Sequence, residues 1–154
     1  MSDVDLRFGR WQDVLADVTT CDAVICDPPY SARTHEASTD EALNQSDYAK
    51  KKYPSQRRPL NYDAWTPDDV TAFVGAWAPR CRGWFVAFTS HDLCDSYRVA
   101  LEAHDRYVFA PLPFFSPGSR VRLSGDGPSS WTCWIVVARP RHAPYAKWGT
   151  LPGG

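Results

Sequence analysis

Asp27-Pro28-Pro29-Tyr30 is the stretch of this chain best equipped for chemistry. The carboxylate of Asp27 can accept a hydrogen bond from an exocyclic amino group. Asp27 precedes a proline and so avoids the α region, and each proline fixes its own φ. The Asp-Pro-Pro backbone is therefore held extended, and its carbonyls can point at the same amine. Tyr30 offers a ring face to a base taken out of its stack. The four residues follow an apolar run, Ala23-Val24-Ile25-Cys26, which reads as a buried parallel strand. In open α/β sheets ligands sit outside the carboxyl ends of strands, which is where the motif falls.

The elements around it alternate as an α/β domain should. Residues 6–8 read as a short strand and residues 10–16 as a helix, with Trp11, Val14 and Leu15 on one face. The strand over 22–26 carries the motif. Thr66 is placed to cap the next helix, with Pro67 at its first position and Asp68 and Asp69 in its positive first turn. Val70, Phe73, Val74 and Trp77 then form an apolar stripe. Residues 83–88 read as another buried strand. Ser90 reads as the cap of a helix to about His104, with Leu93, Tyr97, Ala100 and Leu101 inward. Residues 107–115 and 132–138 are strands with no helix between them, hence antiparallel neighbours. Pro111 and Pro113 put the first of these at an edge or a bulge.

Two segments interrupt this order. The connection over 31–65 is long and polar, longer than a compact domain keeps without purpose. Lys50, Lys51, Lys52, Arg57 and Arg58 crowd its second half beside Tyr48 and Tyr53. Basic groups interleaved with aromatics suit phosphate contacts and base stacking. A lysine run is more often a solvated loop, and the place of this one directly after the motif favours the nucleic-acid reading. In the second segment, 116–131, Arg120 and Arg122 could reach a DNA backbone, or face solvent from a hairpin connection.

Composition bounds the rest. With 154 residues, 44% hydrophobic and 14% aromatic, the chain is long and apolar enough for one domain with a real core. No apolar stretch could span a bilayer, and the polar, acidic N-terminus is unlike a signal peptide. The five cysteines contain no Cys-x-x-Cys pair, which argues for reduced thiols in a cytoplasm, three of them small core residues. The four histidines are scattered, so no metal site is expected. A formal net charge of −1 gives no global pull toward nucleic acid, so DNA binding would need a local patch.

Asp27-Pro28-Pro29-Tyr30 after an apolar strand resembles the amino-methyltransferases of DNA, whose signature is (Asp/Asn/Ser)-Pro-Pro-(Tyr/Phe/Trp). The resemblance implies a Rossmann-like α/β fold with a mixed sheet and an antiparallel hairpin at one edge. It implies methyl transfer from S-adenosylmethionine to N6 of adenine or N4 of cytosine in double-stranded DNA. Asp27, Pro28, Pro29 and Tyr30 would form the catalytic site, with Asp27 also beside the cofactor. Lys50, Lys51, Lys52, Arg57, Arg58, Arg120 and Arg122 would contact DNA. Transfer in this family is direct, so no cysteine is nominated as a nucleophile.

The family's glycine-rich cofactor turn has no counterpart here. Gly125-x-Gly127 is the single Gly-x-Gly pattern, and it precedes an apolar strand instead of following one. The resemblance thus covers the chain as the catalytic half (1–148) of a circularly permuted, β-group-like enzyme, with 149–154 reading as a linker or truncated end. The cofactor half would be a second chain or a missing C-terminal half. Two other readings stay open: a non-catalytic DNA-binding or subunit module, and, more weakly, an RNA or protein methyltransferase.

Overall fold

The computed structural model describes residues 4–34, 62–115 and 132–141. Within them the chain forms an α/β fold around an open, mixed sheet. The strands are β1 (Val24–Cys26), β2 (Phe85–Thr89), β3 (Arg106–Val108), β4 (Leu112–Phe115) and β5 (Thr132–Pro140). The order is β1-β2-β5-β3, with β4 also on β5. β1 and β2 are parallel, whereas β5 runs antiparallel to β2, β3 and β4. The helices are α1 (Trp11–Val14), α2 (Pro67–Trp77) and α3 (Cys94–Ala103).

The start of α2 follows from its sequence. Thr66 accepts from the Asp69 amide, while the Asp69 carboxylate takes the Thr66 amide at 2.8 Å, which completes a capping box. Val70, Phe73, Val74 and Trp77 are buried, as their spacing predicts. They meet Val24, Phe85, Ala87, Val136 and Ala138 from one face of the sheet, and Tyr97, Ala100 and Leu101 from α3. α1 joins the same layer through Trp11, whose ring lies edge-on to Phe73 at 5.4 Å.

Several expectations need correction. Residues 6–8 form no strand, because nothing among the described residues pairs with them. Arg7 instead bonds to Asp5, Asp17 and the Val14 carbonyl. The helix expected over 10–16 is a single turn, although Trp11 and Leu15 do pack against the core. β1 is shorter than expected and is not buried throughout. It is the edge strand of the described sheet, and Ile25 is 75% exposed. The strand expected over 107–115 is broken. Val108 pairs with Ala138 and Leu112 with Ile135, so three residues oppose two. That is a bulge on an edge strand, at Pro111, which has no amide proton for the ladder. Of the cysteines, Cys81 alone is buried, while Cys21, Cys26 and Cys94 pack partly against the core.

Gly83 lies where the chain segments leading into β1 and β2 draw together, with the Val24 amide bonded to the Trp84 carbonyl at 2.9 Å. A Cβ on Gly83 would stand 2.5 Å from the Asp22 carbonyl oxygen. Only glycine lets the two segments approach this closely. Among the described residues no helix is long and apolar enough to cross a membrane.

Candidate functional site

β1 ends at Cys26, so Asp27 emerges beyond the carboxyl end of a parallel strand, with its side chain exposed. Pro28, Pro29 and Tyr30 are half-buried behind it. The peptide group joining Tyr30 to Ser31 is held on both sides. The Trp65 amide donates to the Tyr30 carbonyl at 2.9 Å, and the Ser31 amide donates to the Ser90 hydroxyl at 3.3 Å. Those partners lie just before α2 and just after β2.

The phenol of Tyr30 has Asp27 and Cys133 as neighbours. Burial, then the charge of Asp27 and the Cys133 thiol beside it, push its phenol well above the usual tyrosine range, and hydrogen bonding to both neighbours adds to this. Tyr30 therefore stays protonated, its hydroxyl toward Asp27 and Cys133. Cys133 lies on β5, and nothing in the sequence singles it out; only the register of β5 brings it to the motif. Cys26 is a poor nucleophile, because burial and the charge of Asp27 push its thiol up to about 12.

Ser90 departs from its expected role. Its side chain caps nothing: a 3-10 turn, His91–Leu93, follows it, and α3 starts only at Cys94. The hydroxyl serves Ser31 instead. Asp92 lies alongside; burial pulls its carboxyl up, but hydrogen bonding from Ser31 and Ser90 and the charge of Arg33 hold it below the ordinary value. His91 meets the edge of Trp134 at 5.5 Å. Ser90, His91, Asp92 and Trp134 thus join Asp27 and Tyr30 at one end of the sheet, the two parallel strands contributing carboxyl ends.

A cleft of about 430 Å³ runs along β1 to the motif. Trp11, Val24, Ile25, Trp65 and Phe73 line it, and Asp27, Pro28 and Pro29 border it. Its walls are apolar, and Asp27 is the one carboxylate among its lining residues.

Lys50, Lys51, Lys52, Arg57, Arg58, Arg120 and Arg122 lie outside the described residues, as do Tyr48 and Tyr53. Among the described glycines, Gly9, Gly75 and Gly83, none stands in a Gly-x-Gly turn after a strand. The described residues therefore offer a nucleoside cofactor one carboxylate and an apolar cleft, and no backbone cradle.

No protein-family model matches the chain, and no curated protein or solved structure does.

Proposed function

We propose that this chain is the catalytic half of an S-adenosylmethionine-dependent DNA amino-methyltransferase acting on N6 of adenine or N4 of cytosine. One observation carries the reading: Asp27-Pro28-Pro29-Tyr30 stands at the carboxyl end of a parallel edge strand, with its carboxylate open to solvent and its backbone held. Chemistry on a flipped base needs an acceptor for the amine and a ring beside the base. Asp27 and the Pro28 carbonyl accept hydrogen bonds from the amino group and orient the nitrogen lone pair. As positive charge develops on that nitrogen, the fixed acceptors favour it, and most of the gain comes from positioning. Tyr30, kept neutral and half-buried, lines the base on one face.

S-adenosylmethionine would supply the methyl group. Asp27 is the residue here that would border it, and the backbone cradle would come from a second polypeptide unit. Two features favour such a unit: the outer edge of β1 pairs with nothing among the described residues, and Ile25 is exposed beside it. Unpaired edges recruit further strands.

Calorimetry and a methylation assay test this together. The chain alone should bind S-adenosylmethionine more weakly than the micromolar range. Purified with its cofactor-binding unit, it should transfer tritiated methyl groups to DNA, and Asp27→Ala should abolish transfer without unfolding the protein. Near-normal turnover in that variant would show the assignment to be wrong. DNA binding without transfer in the completed assembly would favour the non-catalytic subunit.

A further inference from the structure

We propose that Ser90 is a positioning residue, which fixes the Tyr30–Ser31 peptide so that Tyr30 and Asp27 keep their mutual placement. The inference deepens the proposed function and rests on it, because it assigns a residue outside the motif to the motif's geometry.

A peptide plane is rigid, so restraint on both its polar atoms fixes its orientation. Here the carbonyl is taken by Trp65 at 2.9 Å and the amide by Ser90 at 3.3 Å. Ser31 and Ser90 are each 6% exposed, so water cannot readily replace the bond between them. A hydroxyl that accepts one hydrogen bond still has a proton to give, and the neighbouring Asp92 carboxylate, hydrogen-bonded with both serines, is the acceptor at hand. Ser31 Oγ also stands 3.5 Å from Thr34 Oγ1, which ties the next turn into the group.

Removing the hydroxyl leaves a buried amide unpaired. The peptide can then rotate, and Tyr30, whose Cα it adjoins, moves with it. Tyr30 and Asp27 face one another, so a change at Ser90 reaches the exposed carboxylate through the tyrosine.

The test compares Ser90→Thr, which keeps the hydroxyl, with Ser90→Val, the isostere of threonine without one, and with Ser90→Ala. Amide exchange and ring resonances of Tyr30 are followed by NMR in the chain itself. The Ser31 amide should exchange on the order of tenfold to a hundredfold faster in the Val and Ala variants, the loss expected for a buried donor without its acceptor. Thr should restore protection. The Tyr30 ring signals should shift in the same two variants while those of Tyr97, in the core, stay put. Unchanged Ser31 exchange in a folded Val or Ala variant overturns the proposal, as does an unmoved Tyr30 ring.

These readouts need no methyl transfer, so they stand even where the enzymatic reading fails. In the completed enzyme, Ser90→Val should lower kcat by roughly tenfold to a hundredfold, with the KM for DNA nearly unchanged. A pure KM effect would overturn the positioning role.

Discussion

Arg106 on β3 donates to the carbonyl of Ala78, the residue that ends α2, across 2.7 Å. The same guanidinium reaches the carbonyls of Cys81 and, at 2.6 Å, Gly83. It is 3% exposed and gathers carbonyls from a helix end and from the turn that follows it. We expect Arg106→Met to lower stability by about 3 kcal/mol or more, because buried acceptors are stranded. Arg106→Lys should recover only part of this, since one ammonium cannot match the guanidinium fork. Urea denaturation of the two variants measures the difference.

Tyr97 carries the opposite prediction. Its ring is fully buried in the core, yet its hydroxyl has no hydrogen-bond partner among the described residues. Tyr97→Phe removes an uncompensated polar atom, and should raise stability by about 1 kcal/mol. A midpoint lower than that of the parent would show that the hydroxyl has a partner in solution.

Stability should decline in alkali. Burial and Asp27 push the Cys26 thiol up to about 12, and burial and then Asp92 push Cys94 up to about 11. An unfolded chain releases these protons near pH 8.5, about the ordinary cysteine value. The folded form therefore binds more protons above that pH. Its stabilising contribution is complete below about pH 8.5 and is lost as pH rises toward the folded values. Denaturation midpoints at about pH 7.5 and 10 should differ in this sense, and less so in a Cys26→Ala, Cys94→Ala double variant. Iodoacetamide near neutrality should spare both thiols.

The basic run is tested by salt. Lys50, Lys51 and Lys52 lie in the connection after the motif. If they neutralise phosphates, changing all three to alanine should flatten the salt dependence of DNA affinity, by roughly 0.9 log unit per log unit of salt for each phosphate no longer paired. Affinity for unrelated sequences should fall about equally. An unchanged slope in a gel-shift titration removes them from the interface.

Local signals are legible in the sequence where local chemistry decides them. Thr66 and Asp69 announce their capping box, the spacing of Val70, Phe73, Val74 and Trp77 announces the buried stripe, and Pro111 marks the bulge. Long-range facts are not. Ser90 has the residue type of a helix cap, but an amide 59 positions earlier takes its hydroxyl. Cys133 meets Tyr30 only through the register of β5, which no spacing in the sequence encodes. Residues 6–8 alternate like a strand, but a strand needs a neighbour, and the described residues supply none. β1 reads as buried because its residues are apolar, whereas Ile25 alternates to the face opposite Val24 and Cys26, and its burial depends on what covers that face.

The bond from the Trp65 amide to the Tyr30 carbonyl has a consequence for how such a protein can diverge. It fastens the far end of the 31–65 connection to the near end, beside the motif. Once the two ends are fixed, lengthening the stretch between them costs only closure entropy, about 0.6 kcal/mol for each doubling. A change in the length of the connection can therefore be taken up between Thr34 and Trp65 at small entropic cost, while the bonds at its root still hold Tyr30 and Ser31 at the end of β1.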